Sequence, residues 1–263
     1  MGQHRQVLLA TRAKPLYLMR LSSNPVQHHK MQPRRESVDT HAMSKCEELR
    51  KLALARQGTR WNRYTCISDY HGGAYECEYV SPFTRTAGNI DAEVMVLLQD
   101  WCSSEFLEKP YNQVICRLGY DPKLETNKNL IQLLRDHFSL SLTEVYATNL
   151  FPFIKQGALS NTIPQRDLDR AAREFALPQV DVVKPRLVIC LGIATFNAMR
   201  TACCLRRVKN IESGINAPFS HNTSQIWCQA HTGRLGKNNR NRGGVDRVSV
   251  DWSAMATRRR IAA

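Results

Sequence analysis

None of the nine cysteines forms a Cys-x-x-Cys pair. They are scattered apart from the adjacent Cys203 and Cys204, so a zinc ribbon or ferredoxin-like cluster finds no ligand set. No apolar run approaches the ~20 residues of a membrane span. The short apolar stretch near the start, Val7 to Ala10, is broken by Arg12 and Lys14 and lacks an export cleavage site. No Gly-x-Gly-x-x-Gly and no P-loop lysine follows His71-Gly-Gly73, which favours a hairpin connection there over a phosphate-binding role. Acids are scarce: 23 Asp and Glu face 37 Lys and Arg, a formal net charge of +14. Such an excess favours polyanionic partners, because Lys and Arg release counterions condensed on nucleic-acid backbones. These absences predict a protein of a reducing cytoplasm, not inserted in a membrane, whose cysteines serve mostly as small buried hydrophobes.

What is present is enough for one sizeable core: 263 residues, 43% of them hydrophobic, fit a single domain with a tail. Residues 1–42 carry seven Lys or Arg against two acids and show no sustained period. They read as a basic, disordered arm or the product of an upstream start, with the domain spanning 43–263. Cys46 to Ala55 has the spacing of a short amphipathic helix. Tyr70-His-Gly-Gly-Ala-Tyr75 reads as a hairpin connection. Val94 to Leu98 is a continuous apolar run of the length expected for a strand buried on both faces, ending abruptly at Gln99, Asp100 and Trp101.

Helices and strands then alternate. Leu130, Leu134 and Phe138 recur every four residues behind Thr126, an amphipathic helix with a capping start. Glu144 to Phe151 reads as a strand carrying Asn149 near its end, Arg166 to Val180 as a helix, Arg186 to Gly192 as a buried strand, and Ile193 to Ala202 as a helix. Cys203 to Thr223 gives mixed signals. Ser224 to Ala230 is a fourth strand leading into His231, and residues 232–244 form a long cationic, glycine-rich loop. A last helix starts near Val245, with Trp252 on its core face. Alternation of this kind predicts a three-layer α/β/α fold with a central, mostly parallel, four-stranded sheet.

In open α/β sheets ligands bind beyond the carboxyl ends of the strands. A carboxylate (Asp100), a carboxamide (Asn149) and an imidazole (His231) are expected together on that rim. Each also has an ordinary structural use: Asp100 as a cap, Asn149 as a strand terminator, His231 as a partner for a loop carbonyl, and the cationic loop as a solvated face.

The order of these motifs resembles the uracil-DNA glycosylase superfamily over roughly residues 60–255. It shares a strand ending in Gln-Asp, a strand ending in Asn, a strand of the type Leu-Val-Ile-x-Leu-Gly-x-Ala, and a strand running into His. The match is closer to the bacterial branch whose first motif reads Gln-Asp-Trp and whose His is followed by Gly and an Asn-Arg-rich loop. The chain departs from the usual pattern at Leu98, where glycine is common, at Trp101, where proline is common, and at His231-Thr-Gly in place of His-Pro-Ser. The resemblance implies a metal-independent DNA glycosylase, monomeric, acting on uracil or a related base flipped out of DNA. Asp100 would stabilise the sugar cation and orient water, and His231 would donate to the uracil O2. Asn149 would pair with N3–H and O4, and Gln99 would contact the base. Trp101 would close or stack on the pocket, with Tyr111 or Tyr120 as the stacking aromatic. Arg234, Lys237, Arg240 and Arg242 would grip phosphates, with Arg234 or Leu235 as the wedge. A non-catalytic DNA- or base-binding member of the same fold is the alternative. RNA binding through Arg242-Gly-Gly is a third reading, resting on one short motif.

Overall fold

A computed structural model describes residues 40–261 of the chain, with side chains over 45–258. The basic arm expected over 1–42 lies outside the described residues except for its last three, which open helix α1 (Thr40–Gly58). The apolar run that begins at Val94 forms β1 (Val94–Asp100), whose first five residues are buried. Next come α2 (Ser104–Leu107), α3 (Gln113–Leu118) and α4 (Glu125–Phe138), then strand β2 (Tyr146–Phe151). Helix α5 (Gln165–Ala171) runs through a π-turn over Ala172–Ala176 into α6 (Leu177–Val183). The π-turn stands just before Pro178, which has no N–H to continue an α-helical ladder. Strand β3 (Leu187–Leu191), α7 (Ile193–Ala202) and α8 (Ile211–Ile215) follow. Strands β4 (Phe219–His221) and β5 (Ser224–Gln229) then precede α9 (Arg234–Arg240) and α10 (Arg247–Ile261).

The sheet has the order β2-β1-β3-β5-β4. The first four strands in that order are parallel, and β4 pairs antiparallel with β5 through a tight connection. The sheet therefore has five strands, where the sequence predicted four. The extra one lies in the stretch of mixed signals, where three residues are too short to display a period. Alternate residues of each central strand serve opposite faces. Met95, Leu97, Val188, Cys190, Ile226 and Cys228 pack with Phe175 and Phe196 on one side. Val94, Val96, Leu98, Ile189 and Leu191 pack with Leu130 and Leu134 of α4 and Trp252 of α10 on the other. Helices on both faces make three layers.

The outer edge of β2 is covered rather than exposed. Ala147 donates its N–H to Ala87 O at 2.7 Å, Asn89 N–H reaches Val145 O at 3.4 Å, and Gly88 bridges Tyr146 antiparallel.

Two further expectations are corrected. Residues 70–75 do not join paired strands. Within them His71–Gly73 forms a short 3₁₀ turn that follows another at Ile67–Asp69, and Ile67 and Tyr75 turn inward onto Cys102, Leu107 and Ile115. The cationic stretch after His231 is not a continuous loop, since Arg234–Arg240 is helical. Among the described residues no helix is long and apolar enough to cross a membrane.

Candidate active site

The carboxyl ends of β1, β2 and β5 deliver the polar groups, each for a local reason. The β1 run ends where its last two residues, Gln99 and Asp100, become partly exposed at the rim. Asn149 sits within a strand buried along its whole length, so its amide must be paired internally or kept for a ligand. His231 comes two residues after the end of β5, and the backbone wraps tightly around it. A side-chain carbon at Gly233 would lie 2.9 Å from His231 Nδ1, and one at Gly236 would lie 2.2 Å from the His231 carbonyl oxygen. Only glycine allows that approach. Helix α4 buttresses the same loop: Thr232 Oγ1 donates to Thr126 O at 2.8 Å, and Asn129 Nδ2 donates to Thr232 O at 2.8 Å.

A cavity of about 170 Å³ opens between these ends, close to the volume of about 150 Å³ that accepts a single benzene ring. Asp100, Asn149, Lys155 and His231 supply its polar wall, while Phe83, Phe106, Tyr120 and Trp101 supply aromatic surface. Phe83 and Tyr120 lie with ring centroids 5.2 Å apart and planes tilted by 31°. Trp101 is anchored by its indole N–H, which donates to Gly119 O at 2.8 Å.

The hydrogen-bond polarity of the site is defined. His231 Nδ1 accepts the Gly233 N–H at 3.0 Å, so the neutral ring carries its proton on Nε2. Burial pushes the imidazole below its ordinary value, partly opposed by the nearby Asp100 carboxylate and reinforced by Lys155. Asn149 is 1% exposed. Its Oδ1 accepts the Ser81 hydroxyl at 2.5 Å, while its buried Nδ2 has no hydrogen-bond partner among the described residues. Asp100 accepts from Gln99 Nε2 at 3.1 Å and pairs with Lys155 Nζ at 2.9 Å. Lys155 also donates to Leu159 O at 2.6 Å. Both charged side chains are nearly withdrawn from solvent, at 10% and 6% exposure, so each compensates the other's burial. Burial and the Asp100 charge hold the Cys102 thiol well above its usual range, which leaves it an inert wall.

Of the residues predicted from sequence, Asp100, Trp101, Tyr120, Asn149 and His231 line the one cavity. Gln99 does not line it; its amide is spent on Asp100. Tyr111 lies outside, 46% exposed and packed on Tyr75 and His71. Leu235, at 76% exposure, projects from α9 just past His231. Arg234 and Arg242 are exposed, and Lys237 donates to Asn129 Oδ1 at 3.1 Å. Arg240 is not a free surface cation: it makes two bonds to Asp251, at 2.6 and 3.0 Å, and is 11% exposed.

Sequence reasoning missed Lys155 and Ser81. The first had a signal, a lone cation closing the stretch Leu150-Phe-Pro-Phe-Ile154. The second reads only as a helix cap before Pro82, since its partner is 68 residues away. Among the described residues no three His, Cys, Asp or Glu side chains converge as a metal site. No known family model matches the chain, and no curated protein matches it.

Proposed function

We propose that the protein is a DNA glycosylase that hydrolyses the bond between deoxyribose and uracil, or a related altered base, and leaves an abasic site. The observation that carries this reading is the shared cavity of Asp100, Asn149 and His231, with its polarity already set. Cleavage passes through a sugar resembling an oxocarbenium ion and a base departing as an N1 anion. Asp100 provides negative charge beside the sugar and takes a proton from the water that adds to C1′. His231 donates Nε2–H to O2, where the leaving base gathers charge, and a neutral imidazole suffices. Asn149 donates Nδ2–H to O4. The aromatic wall of Phe83, Tyr120 and Trp101 accepts the flat ring.

The base must leave the duplex to reach such a cavity. Leu235 is the wedge this reading favours, with Arg234 and Arg242 exposed nearby to meet phosphates. The protein would act as a monomer on DNA.

One observation favours a second reading, a binding protein that recognises the altered base without excising it. The Lys155 ammonium, 2.9 Å from Asp100, opposes the charge that a developing sugar cation needs. A single experiment separates the two. Purified protein is incubated without added metal with labelled oligonucleotides carrying uracil, hypoxanthine, xanthine or 5-hydroxymethyluracil, followed by alkaline cleavage at abasic sites. Excision of at least one base, lost in Asp100→Asn, is the expected outcome. Salt-sensitive binding with no excision of any of the four would replace the glycosylase by the binding protein.

A further inference from the structure

On the reading above, discrimination between uracil and cytosine depends on which end of the Asn149 carboxamide meets the base. Uracil presents a carbonyl at position 4 and an N–H at position 3. Cytosine presents an amine and a bare ring nitrogen at the same places. A carboxamide complements either edge, depending on which way it is turned. Specificity therefore resides in whatever prevents the amide from turning over.

We infer that Ser81 is that specificity-determining residue, holding Asn149 so that the cavity meets its NH₂ group. Ser81 is fully buried and caps the short turn Pro82–Arg85, where its Oγ accepts the Phe83 N–H at 3.3 Å. Its own hydroxyl hydrogen goes to Asn149 Oδ1 at 2.5 Å. Polarity thus runs in one direction, from the Phe83 N–H through the serine hydroxyl to the amide oxygen. Turning the amide over would leave the serine hydrogen facing an NH₂ group. It has no other acceptor among the described residues, and an unmet buried donor is costly. The relay leaves Nδ2, buried and unpartnered, as the amide atom available to a ligand in the cavity that Asn149 lines. The second lone pair of Oδ1 remains for a ring N–H.

Ser81 touches no base; it acts through Asn149, and its role is positioning. A purely structural role would lower excision of every base alike. A polarity role changes the ratio between bases.

The test compares wild type, Ser81→Ala and Ser81→Cys on single-stranded oligonucleotides with uracil or cytosine at the same position. Single strands remove the difference in base-pairing cost. In parallel, binding of free uracil and free cytosine is followed by the Asn149 side-chain amide signals in NMR, which need no excision. Ser81→Ala should lower the uracil-to-cytosine preference about tenfold, the scale of one hydrogen bond, with the weaker thiol donor of Ser81→Cys between the two. An unchanged preference in folded variants overturns the inference, as does a wild type that binds neither free base. A wild type that binds uracil over cytosine through Asn149 but excises nothing defeats the glycosylase reading alone and leaves Ser81 to be judged by the binding ratios.

Discussion

His231 is committed to one protonation state from two sides. A second proton would have to go on Nδ1, where the Gly233 N–H already points, and burial disfavours the charged ring in any case. The unfolded chain keeps an imidazole near about 6.5, while the folded value is lower. As pH falls below about 6.5 the unfolded chain therefore takes up this proton first, and the folded state loses stability until its own lower value is passed. Above that range the contribution is fully present. Denaturation of wild type and His231→Gln between pH 5 and 8 should give curves that diverge on the acid side, with the variant less pH-dependent. Parallel curves, or an NMR titration of His231 above 6.5, would contradict the assignment.

At the scale of elements, α9 is fastened around the histidine it follows. Gly236 lies within the helix, yet its missing side chain is what lets that helix sit against the His231 carbonyl. Gly236→Ala should leave a folded protein, since alanine suits a helix, but push the imidazole off its position. On the proposed function this should cost about 10²-fold in excision, the scale of a 1 Å misplacement. Full activity in that variant would show the loop to be adjustable. The same stretch shows where sequence reading runs out. Two glycines and a row of cations look like a loop, because nothing local says that a glycine serves a contact instead of a turn. The buried strands were legible, since Val94 to Leu98 and Leu187 to Leu191 leave few alternatives to a doubly covered strand. Asp100, Asn149 and His231 were legible as residues that end or follow strands. Ser81 was not, and Lys155 offered only a lone cation after an apolar stretch, because their partners are fixed by the sheet order and not by spacing along the chain.

For the molecule as a whole, the net charge of +14 bears on the proposed DNA binding only through the cations free to meet phosphate. Arg240 is held by Asp251 through Nε and Nη2 along one edge of its guanidinium, whereas Arg234 is exposed. On the proposed function, Arg234→Ala should reduce the slope of log affinity against log salt by about 0.9 on duplex DNA, one phosphate contact. Arg240→Ala should leave that slope alone and cost stability instead, about 3–5 kcal/mol, because it strands the Asp251 carboxylate. Salt titrations and denaturation of both variants check the pair, and exchanged outcomes would reverse the two assignments.

The covered edge of β2 has its own bearing on how such a protein could change. A bare outer strand is a template for pairing with another chain, and here it is sealed by the residues from Ala87 to Asn89. Those residues follow Ser81 within the same stretch, and Thr84 from that stretch also donates to Ala147 O at 2.9 Å. Insertions or deletions there would shift the serine and uncover the strand together. On the proposed function, variants that widen base choice by loosening this stretch would thus tend to be filtered out as aggregates before any change in selectivity could be inherited, which leaves single side-chain substitutions as the more accessible route.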